Sequence, residues 1–298
     1  MDLITGENDN GRRLDRILRK ALPDQSLPLI HRLIRQKKVL VNGKPAVAGD
    51  RIVTGATISI PSLKGQKNVF PLPKLPAPEI IWQGSGLLAV NKPAGLSVHG
   101  HGSLDSMVRS YLTDKLSLSL SFKPGPLHRL DKPSSGIVVF STSLEGARLF
   151  SLLMRERKVK KTYLAVVEGK IKTEEIWQDE LVRDRETKKT YVLQKKSCGS
   201  KEAVTKVMSL ATDGDYSLIK AEIATGRTHQ IRAQSAEHGH PLAGDVKYGG
   251  ARSSQMSGFF LHAWKIEFLE YSIEAPPPLI HGSLPYRLFE RFSEGENF

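Results

Sequence analysis

The segment at residues 126–140 constrains the fold most, because a polar loop leads directly into an apolar run. The run at residues 137–140 is typical of a buried β-strand. That strand cannot extend backward, since Pro133 lacks a backbone N–H donor and residues 134–136 favour a turn. We therefore expect Asp131 to lie on a loop at the mouth of a rigid strand, where the flanking cations favour its ionised form.

A longer signature contains this loop. Residues 128–137 fit the pattern H-R-L-D-K-x-[ST]-S-G-[ILV]. The pattern resembles the catalytic signature of the RluA-type pseudouridine synthases, and in particular of the RluC- and RluD-like members with an N-terminal S4 RNA-binding domain. The same residue types would also suit a surface turn with a local ion pair. The other motifs of the chain have to decide between a catalytic loop and such a turn.

The composition is that of a globular protein with enough apolar residues for one large core and a small one. The chain has 298 residues, of which 39% are hydrophobic, and no apolar run approaches the ~20 residues that span a bilayer. Its single cysteine, Cys198, excludes an intramolecular disulfide and a cysteine-based zinc site. Together with a polar, acidic N-terminus, this favours a cytoplasmic protein.

The positive charge is concentrated near the N-terminus. The formal net charge is +13, and residues 1–76 carry 14 Lys and Arg against 6 Asp and Glu. A concentrated basic excess favours a polyanionic partner such as RNA, whereas a solubilising surface would explain a diffuse excess better.

Residues 11–60 have the pattern of a compact module. Apolar residues at helical spacing predict a first helix that ends at Pro23 and a second helix that begins after Ser26. Residues 42–43, Asn-Gly, predict a hairpin turn between short strands. Two basic helices followed by V-x-V-N-G-x and G-D-x-[IV] resemble the S4 RNA-binding domain.

By this resemblance, the second helix and the turn after it face structured RNA. The candidate phosphate contacts are Arg12, Arg13, Arg32, Arg35, Lys37 and Lys38. Such contacts position a protein on RNA without reading its sequence. For each residue taken alone, a charged helix facing solvent is an equal explanation.

The chain is predicted to contain an S4-like RNA-binding domain in residues 1–60, a linker in residues 61–78 and a catalytic domain in residues 79–298. The linker is rich in proline and lysine and is predicted to be semi-extended. The resemblance implies an α+β fold. In this fold a small S4-type αβ domain precedes a large mixed, mostly antiparallel sheet that is flanked by helices and loops.

Three further motifs resemble the same family and follow in its order. Residues 80–96 resemble the motif before the catalytic sequence, residues 161–169 fit K-x-Y-x-A-x-V-x-G, and residues 226–249 contain G-R-T-H-Q-I-R and G-H-P-x-x-G-D-x-x-Y-G. The family usually has histidine where Gln234 stands. We expect that departure to affect helix packing or an RNA contact and to leave the catalytic residues untouched.

The resemblance implies isomerisation of uridine to pseudouridine in RNA, without a cofactor. It makes Asp131 the essential catalytic carboxylate, Arg232 its partner and Tyr163 the residue that packs against uracil. Arg129 would help to fill the space left by an extruded nucleotide, and His128 would support the loop or contact RNA. Whether Asp131 attacks the sugar or removes a sugar proton stays open.

Other interpretations remain at this point. Histidine pairs at residues 99–101 and 238–240 suggest a metal, but no cysteine or spaced carboxylate completes a site. A glycosidase would usually need two cooperating carboxylates. A non-catalytic RNA-binding or ribosome-assembly factor could keep the same fold. Among RNAs, the S4 module favours large-subunit ribosomal RNA of the 23S type over transfer RNA, and a monomer is the default.

The remaining segments carry weaker signals. Residues 170–200 are charged and predicted to be irregular. Residues 116–122 are predicted to be an insertion or the end of the preceding helix, and the segment after the strand at residues 260–268 is predicted to be short.

Deletion of residues 1–76 is expected to weaken RNA binding and to lower its salt dependence, because the basic module is removed. Each phosphate that is no longer neutralised lowers the slope of log K against log[salt] by about 0.9 on a duplex and by about 0.7 on a single strand. Binding titrations at several salt concentrations measure this slope, and an unchanged slope would remove the module from RNA binding.

Overall fold

The computed structural model of the chain describes residues 1–62, 75–113, 115–116, 119–252 and 258–295. These residues form a small helix-and-sheet unit at the N-terminus and a larger unit built on one extended sheet. The predicted α+β fold, with a small unit ahead of a large mixed sheet, is confirmed. Most of the predicted linker, residues 63–74, lies outside the described residues.

The N-terminal unit packs two helices, α1 (Leu14–Ala21) and α2 (Leu27–Arg35), on short strands. Its six strands are β1 (Asp2–Ile4), β2 (Arg12–Arg13), β3 (Leu40–Val41), β4 (Lys44–Pro45), β5 (Arg51–Ile52) and β6 (Thr57–Ser59). Four of them form a sheet in the order β1-β6-β3-β4, and β2 pairs with β5.

Local signals in the sequence explain these elements. Ser26 caps α2, since its hydroxyl oxygen accepts a hydrogen bond of 3.4 Å from the backbone N–H of Leu29. Asn42 and Gly43 have φ values of 49° and 77°, as a tight hairpin turn requires. The predicted helices, cap and turn are confirmed, whereas strand β1 has no counterpart in the sequence predictions.

The larger unit is built on an 11-stranded sheet. Its strands are β7 (Glu79–Gly84), β8 (Leu87–Lys92), β9 (Gly125–Pro126), β10 (Ser135–Ser141), β11 (Lys160–Glu168), β12 (Glu175–Arg183), β13 (Thr190–Leu193), β14 (Lys201–Asp213), β15 (Tyr216–Ile223), β16 (Leu261–Phe268) and β17 (Tyr271–Glu274). The main path is β13-β12-β14-β15-β11-β16-β10-β8-β7, with β9 on β10 and β17 on β16. Strands β10 and β16 are parallel, and the other pairs of described strands are antiparallel.

Four helices flank this sheet: α3 (Leu104–Leu112), α4 (Leu144–Arg155), α5 (Gln230–Glu237) and α6 (Leu284–Gly295). Serine side chains cap two of them, because Ser103 and Ser143 accept hydrogen bonds from the first turns of α3 and α4. Helix α3 packs into the core of one sheet face, and Leu288 of α6 packs against another cluster of the sheet.

The parallel pairing brings β10 and β16 close together at Gly136. This glycine has a φ of 104°, and a Cβ atom there would lie 2.3 Å from the carbonyl oxygen of Ala263. A residue with a side chain would meet both the backbone strain and the clash. The loop that precedes β10 is therefore anchored to the middle of the sheet.

Two predictions for the second half of the chain are wrong. Residues 170–200 are not irregular, since β12 and β13 lie there. Trp177 and Leu181 of β12 are buried, but charged and polar neighbours obscure the alternation of apolar and polar residues that would predict a strand. The segment after β16 is not short either, because β17 folds back on β16 and α6 follows.

A buried carboxylate connects the N-terminal unit to the larger unit. Asp9 is fully buried and accepts hydrogen bonds from the hydroxyl of Ser119 (2.9 Å) and from the backbone N–H groups of Leu120 (2.9 Å) and Ser121 (3.0 Å). Burial raises the pKa of Asp9. Hydrogen bonds from the Ser121 hydroxyl, from the backbone N–H groups of Gly6 and Leu120 and from the Ser119 hydroxyl outweigh it and hold that pKa below its usual value. The described part of the predicted insertion thus docks on the N-terminal unit.

Candidate active site

Three separate elements deliver the predicted catalytic residues to one place. Asp131 lies on the loop before β10, Tyr163 lies on β11 and Arg232 lies on α5. All three line one pocket, together with the apolar side chains of Ile223 and Leu261. A wider cavity of about 310 Å³ opens over Asp131 and Tyr163.

Arg232 joins two carboxylates through different edges of its guanidinium group. Its Nε and Nη2 donate to Asp245 Oδ2 (2.6 Å) and Oδ1 (2.9 Å), while Nη1 donates to Asp131 Oδ2 (2.9 Å). A bidentate pair fixes the plane of an arginine, so Asp245 aims the remaining edge at Asp131. Burial lowers the pKa of Arg232, but the bonds to both carboxylates outweigh it and raise that pKa.

Two aromatic rings hold the same guanidinium group. The carbon Cζ of Arg232 lies 4.9 Å from the centroid of the Tyr248 ring and 4.6 Å from that of Phe259. Such contacts are attractive because of the quadrupole of the ring. They limit the directions in which the arginine can move away from Asp131.

Tyr163 is almost fully buried in the wall of the pocket, with 8% of its surface exposed. Burial and the negative charge of Asp131 raise the pKa of Tyr163 well above its usual value. The phenol is therefore neutral at physiological pH, and its ring offers an apolar surface next to the carboxylate.

His229 is a neighbour of Asp131 to which sequence reasoning assigned no role. Arg183 Nη1, which can only donate, lies 3.3 Å from His229 Nδ1, so this nitrogen is an acceptor. Tyr248 accepts a hydrogen bond from the backbone N–H of Thr190, and its hydroxyl donates to the same Nδ1 at 2.7 Å. The proton of the imidazole is then on Nε2, which lies 3.6 Å from Asp131 Oδ2. Burial lowers the pKa of His229 to about 4 although Asp131 opposes the shift, so the ring is neutral at pH 7.

The left-handed backbone of His229 is the local feature that places this ring. With a φ of 54° directly before α5, the residue turns the chain from a loop into the helix that carries Arg232. The only sequence signal for this residue is its place in the G-R-T-H-Q-I-R motif.

His128 has the loop-supporting role predicted for it. Its Nε2 accepts a hydrogen bond of 3.1 Å from the backbone N–H of Val139 on β10. Burial, followed by the charge of Lys161, lowers the pKa of His128 to about 3, which keeps the ring neutral and able to accept. Arg129 is exposed at the rim of the cavity, and its predicted place in the emptied stack remains a prediction.

Lys92 binds the backbone of the loop that carries Asp131. Its ammonium group donates to the carbonyl oxygens of Pro93 (2.8 Å), Leu96 (2.8 Å) and Lys132 (3.3 Å). Burial lowers the pKa of Lys92 to about 8, while the charge of Asp131 acts against this shift. The side chain is fully buried, and its three bonds tie the two loops together.

Gln234 is not among the described residues that line the pocket and cavity over Asp131. Its side chain is buried beneath the sheet, where it accepts a hydrogen bond from Thr205 (2.6 Å) and donates to Asp179 (2.6 Å) and to the carbonyl of Trp177 (3.1 Å). These bonds pack Gln234 of α5 against β12 and β14. An effect on an RNA contact remains a prediction.

The six cations predicted in the S4-like module divide into two groups. Arg12 and Arg13 are partly engaged, because Arg12 donates to the carbonyl of Ser121 (3.1 Å) and Arg13 pairs with Asp15 (2.8 Å). Four others are exposed on α2 and the turn after it: Arg32, Arg35, Lys37 and Lys38. Their contact with RNA remains a prediction.

The histidine pair at residues 238–240 has structural uses. His238 stacks on Trp177 and lies 3.1 Å from Asp179, and His240 Nδ1 lies 2.9 Å from the carbonyl oxygen of Glu168. Within the part of the chain that the structure describes, no group of His, Cys, Asp and Glu side chains could hold a metal ion.

The pocket thus offers a single carboxylate, paired with a permanent cation and flanked by a neutral phenol and a neutral imidazole. Asp131 is the one acidic residue among the described residues that line the two cavities over it. A paired-carboxylate glycosidase mechanism therefore has no second group at this site. One fixed carboxylate that lines an open cavity suits attack on a sugar carbon or removal of a proton from the sugar.

Comparison with known protein families decides the class of protein. The profile of the RNA pseudouridylate synthase family matches residues 86–237, and that of the S4 domain matches residues 12–58. The chain belongs to the RNA pseudouridylate synthase family. It is thus an isomerase that acts on RNA, as the sequence motifs predicted.

Curated relatives of this synthase match over most of its length. A ribosomal large subunit pseudouridine synthase D of Neisseria meningitidis is 32% identical, over 90% of this chain and 76% of that protein. A ribosomal large subunit pseudouridine synthase C of Vibrio parahaemolyticus is 31% identical, over 88% of this chain and 86% of that one. The RNA pseudouridine synthase YlyB of Bacillus subtilis, described as uncharacterized, is 29% identical, over 93% and 94%.

The fold of the synthase is shared with solved structures. The human RNA pseudouridylate synthase domain containing 1 superimposes with a TM-score of 0.58 and 22% identity, covering 72% of this chain and 88% of that one. Separately, none of the described helices of the synthase is both long and apolar enough to cross a membrane.

The substitution Asp245→Asn is expected to lower kcat about 100-fold, because a small misplacement of Arg232 moves the group that positions Asp131. It should also lower the free energy of unfolding by about 3 kcal/mol, since a buried ion pair loses one of its charges. Steady-state kinetics and urea unfolding measure the two effects.

The matched control is Asp105→Asn, which removes a surface pair with Arg109 at 2.9 Å. Such pairs contribute at most about 1 kcal/mol, so this variant should retain kcat. A wild-type kcat in Asp245→Asn would show that the Asp245 bond does not position the site.

Proposed function

We propose that this synthase converts specific uridines of large-subunit ribosomal RNA to pseudouridine, with Asp131 as the essential carboxylate. The observation that carries the proposal is the 2.9 Å bond between Arg232 and Asp131 in the wall of an open cavity. The choice of RNA is supported by relatives that are named as synthases of the ribosomal large subunit and that match about nine-tenths of this chain.

The reaction exchanges one glycosidic bond for another within the RNA. The N1–C1′ bond breaks, the uracil turns while it is still bound, and C5 bonds to C1′. C5 then loses a proton and N1 gains one, so the atoms balance without a co-reactant. Asp131 serves either by attacking C1′ or by taking a proton from the sugar, and both routes use its ionised form.

Tyr163 supplies the surface on which the detached uracil is held. Its ring forms an apolar wall of the pocket with Ile223 and Leu261, and stacking of a base on an aromatic ring contributes about 1–3 kcal/mol. Because its raised pKa keeps the phenol neutral, the ring adds no second negative charge beside Asp131 while the uracil turns.

The target uridine has to leave its stack to reach this carboxylate. Asp131 is largely buried, and the cost of unstacking a base is a few kcal/mol. Arg129, which is exposed and lines the cavity, would enter the vacated position. The exposed cations of α2 would hold the surrounding RNA through its phosphates.

A transcriptome-wide pseudouridine map tests the proposal. Cells with and without the gene are compared, and the deletion strain is complemented with the wild type or with Asp131→Asn. We expect pseudouridine to disappear at positions in large-subunit ribosomal RNA and to return only with the wild type. The purified Asp131→Asn protein should still bind the RNA, because the substitution keeps the shape of the site.

The outcomes separate the possible functions. Sites that disappear from transfer RNA alone would assign the enzyme to that substrate. Restoration of the missing sites by Asp131→Asn would refute the role of Asp131. If no site changes in either RNA, the chain acts as an RNA-binding or assembly factor on a synthase fold.

A further inference from the structure

Two adjacent lysines on β11 have opposite environments. The side chain of Lys160 is 54% exposed and lies 3.6 Å from Glu222 and 3.8 Å from Glu267. Lys161 is only 8% exposed and lines the cavity over Asp131. Successive side chains of a strand point to opposite faces, so one lysine faces solvent and the other faces the candidate active site.

The ammonium group of Lys161 has no anionic partner. Within the described residues its Nζ makes no hydrogen bond or ion pair, and a Cβ atom at Gly226 would lie 3.2 Å from it. The charge that acts on Lys161 is the positive charge of Arg227. Because Lys161 lines an open cavity, this unpaired positive charge is available to an anionic ligand that enters the cavity.

Further cations line the cavities next to Lys161. Arg227 lies in the wall between the cavity over Asp131 and a second cavity of about 390 Å³. That second cavity is lined by three further cations, Arg183, Arg185 and Lys201. Among the described lining residues of both cavities, Asp131 is the one anion, and it is already bound to Arg232.

We propose that Lys161 and Arg227 bind a backbone phosphate of the extruded nucleotide and thereby position its sugar over Asp131. The inference rests on the proposed function. Phosphodiesters are the anionic groups of RNA, and one lies on each side of every nucleotide. A lysine binds phosphate as a point charge and an arginine binds it through its planar fork. The second cavity then continues the path for the strand beyond that nucleotide.

The titration behaviour of Lys161 agrees with this geometry. Burial, followed by the charge of Arg227, lowers the pKa of Lys161 to about 8 in the free protein. The amine therefore carries most of its charge at pH 7, and a bound phosphate would restore the rest. Lys161 is a positioning residue, because it acts on the sugar through the phosphate and does not touch the reacting atoms.

The test compares Lys161→Met with the matched control Lys160→Met. Both variants remove one positive charge from neighbouring positions of the same strand. Binding of the full chain to protein-free large-subunit ribosomal RNA from cells lacking the gene is measured at several salt concentrations. Lys161→Met should weaken binding roughly tenfold, as expected for one charged hydrogen bond, and lower the salt slope by about 0.7. Lys160→Met should leave both unchanged.

A stability measurement separates a ligand contact from a structural role. Replacement of an unpaired buried ammonium by an apolar side chain of similar length should keep or raise the Tm. Weaker RNA binding together with an undiminished Tm is thus the expected signature. An unchanged salt slope in Lys161→Met, or a lowered Tm with wild-type affinity, would overturn the phosphate assignment.

Turnover distinguishes this inference from the function on which it rests. If wild-type protein forms no pseudouridine in this RNA, the proposed function fails, and the salt slope still decides whether Lys161 binds a phosphate. If the wild type is active and Lys161→Met has the same slope and the same kcat/KM, only the assignment of Lys161 fails.

Discussion

The guanidinium group of Arg232 is the point on which the candidate active site depends. Asp245 holds one edge of it through two hydrogen bonds, and Asp131 accepts from the other edge at 2.9 Å. The bond joins helix α5 to the loop that precedes β10. Removal of Arg232 would leave the buried carboxylate of Asp245 without its partner, which is costly in a low-dielectric interior. The geometry of the carboxylate is therefore coupled to the packing of the whole catalytic unit.

The sheet supplies the rigidity that this bond requires. Gly136 lets β10 approach β16 so closely that no side chain would fit, and Lys92 ties the loop of Asp131 to the preceding loop through three carbonyl oxygens. His128 fixes the other end of the same loop to β10. Contacts at Gly136, Lys92 and His128 thus fix the loop and keep the carboxylate of Asp131 in place.

Much of this arrangement could be predicted from the sequence, because its signals are local. The turn and apolar run around Asp131 and the helical spacing of the N-terminal module each need only neighbouring residues. The partnership of Arg232 with Asp131 came from resemblance to a family. Asp245 and His229 received no role, since their contacts depend on how distant segments meet. The strand at Glu175–Arg183 was missed because charged residues concealed its alternation.

The direct test of the account is an experimental structure of the Asp131→Asn protein bound to its ribosomal RNA target. We expect an extruded uridine whose sugar lies about 3–3.5 Å from the side chain at position 131, the separation of groups that are ready to react. Its base should pack on Tyr163. A target uridine that remains stacked in the RNA, or a nucleotide bound away from Arg232 and position 131, would contradict the account.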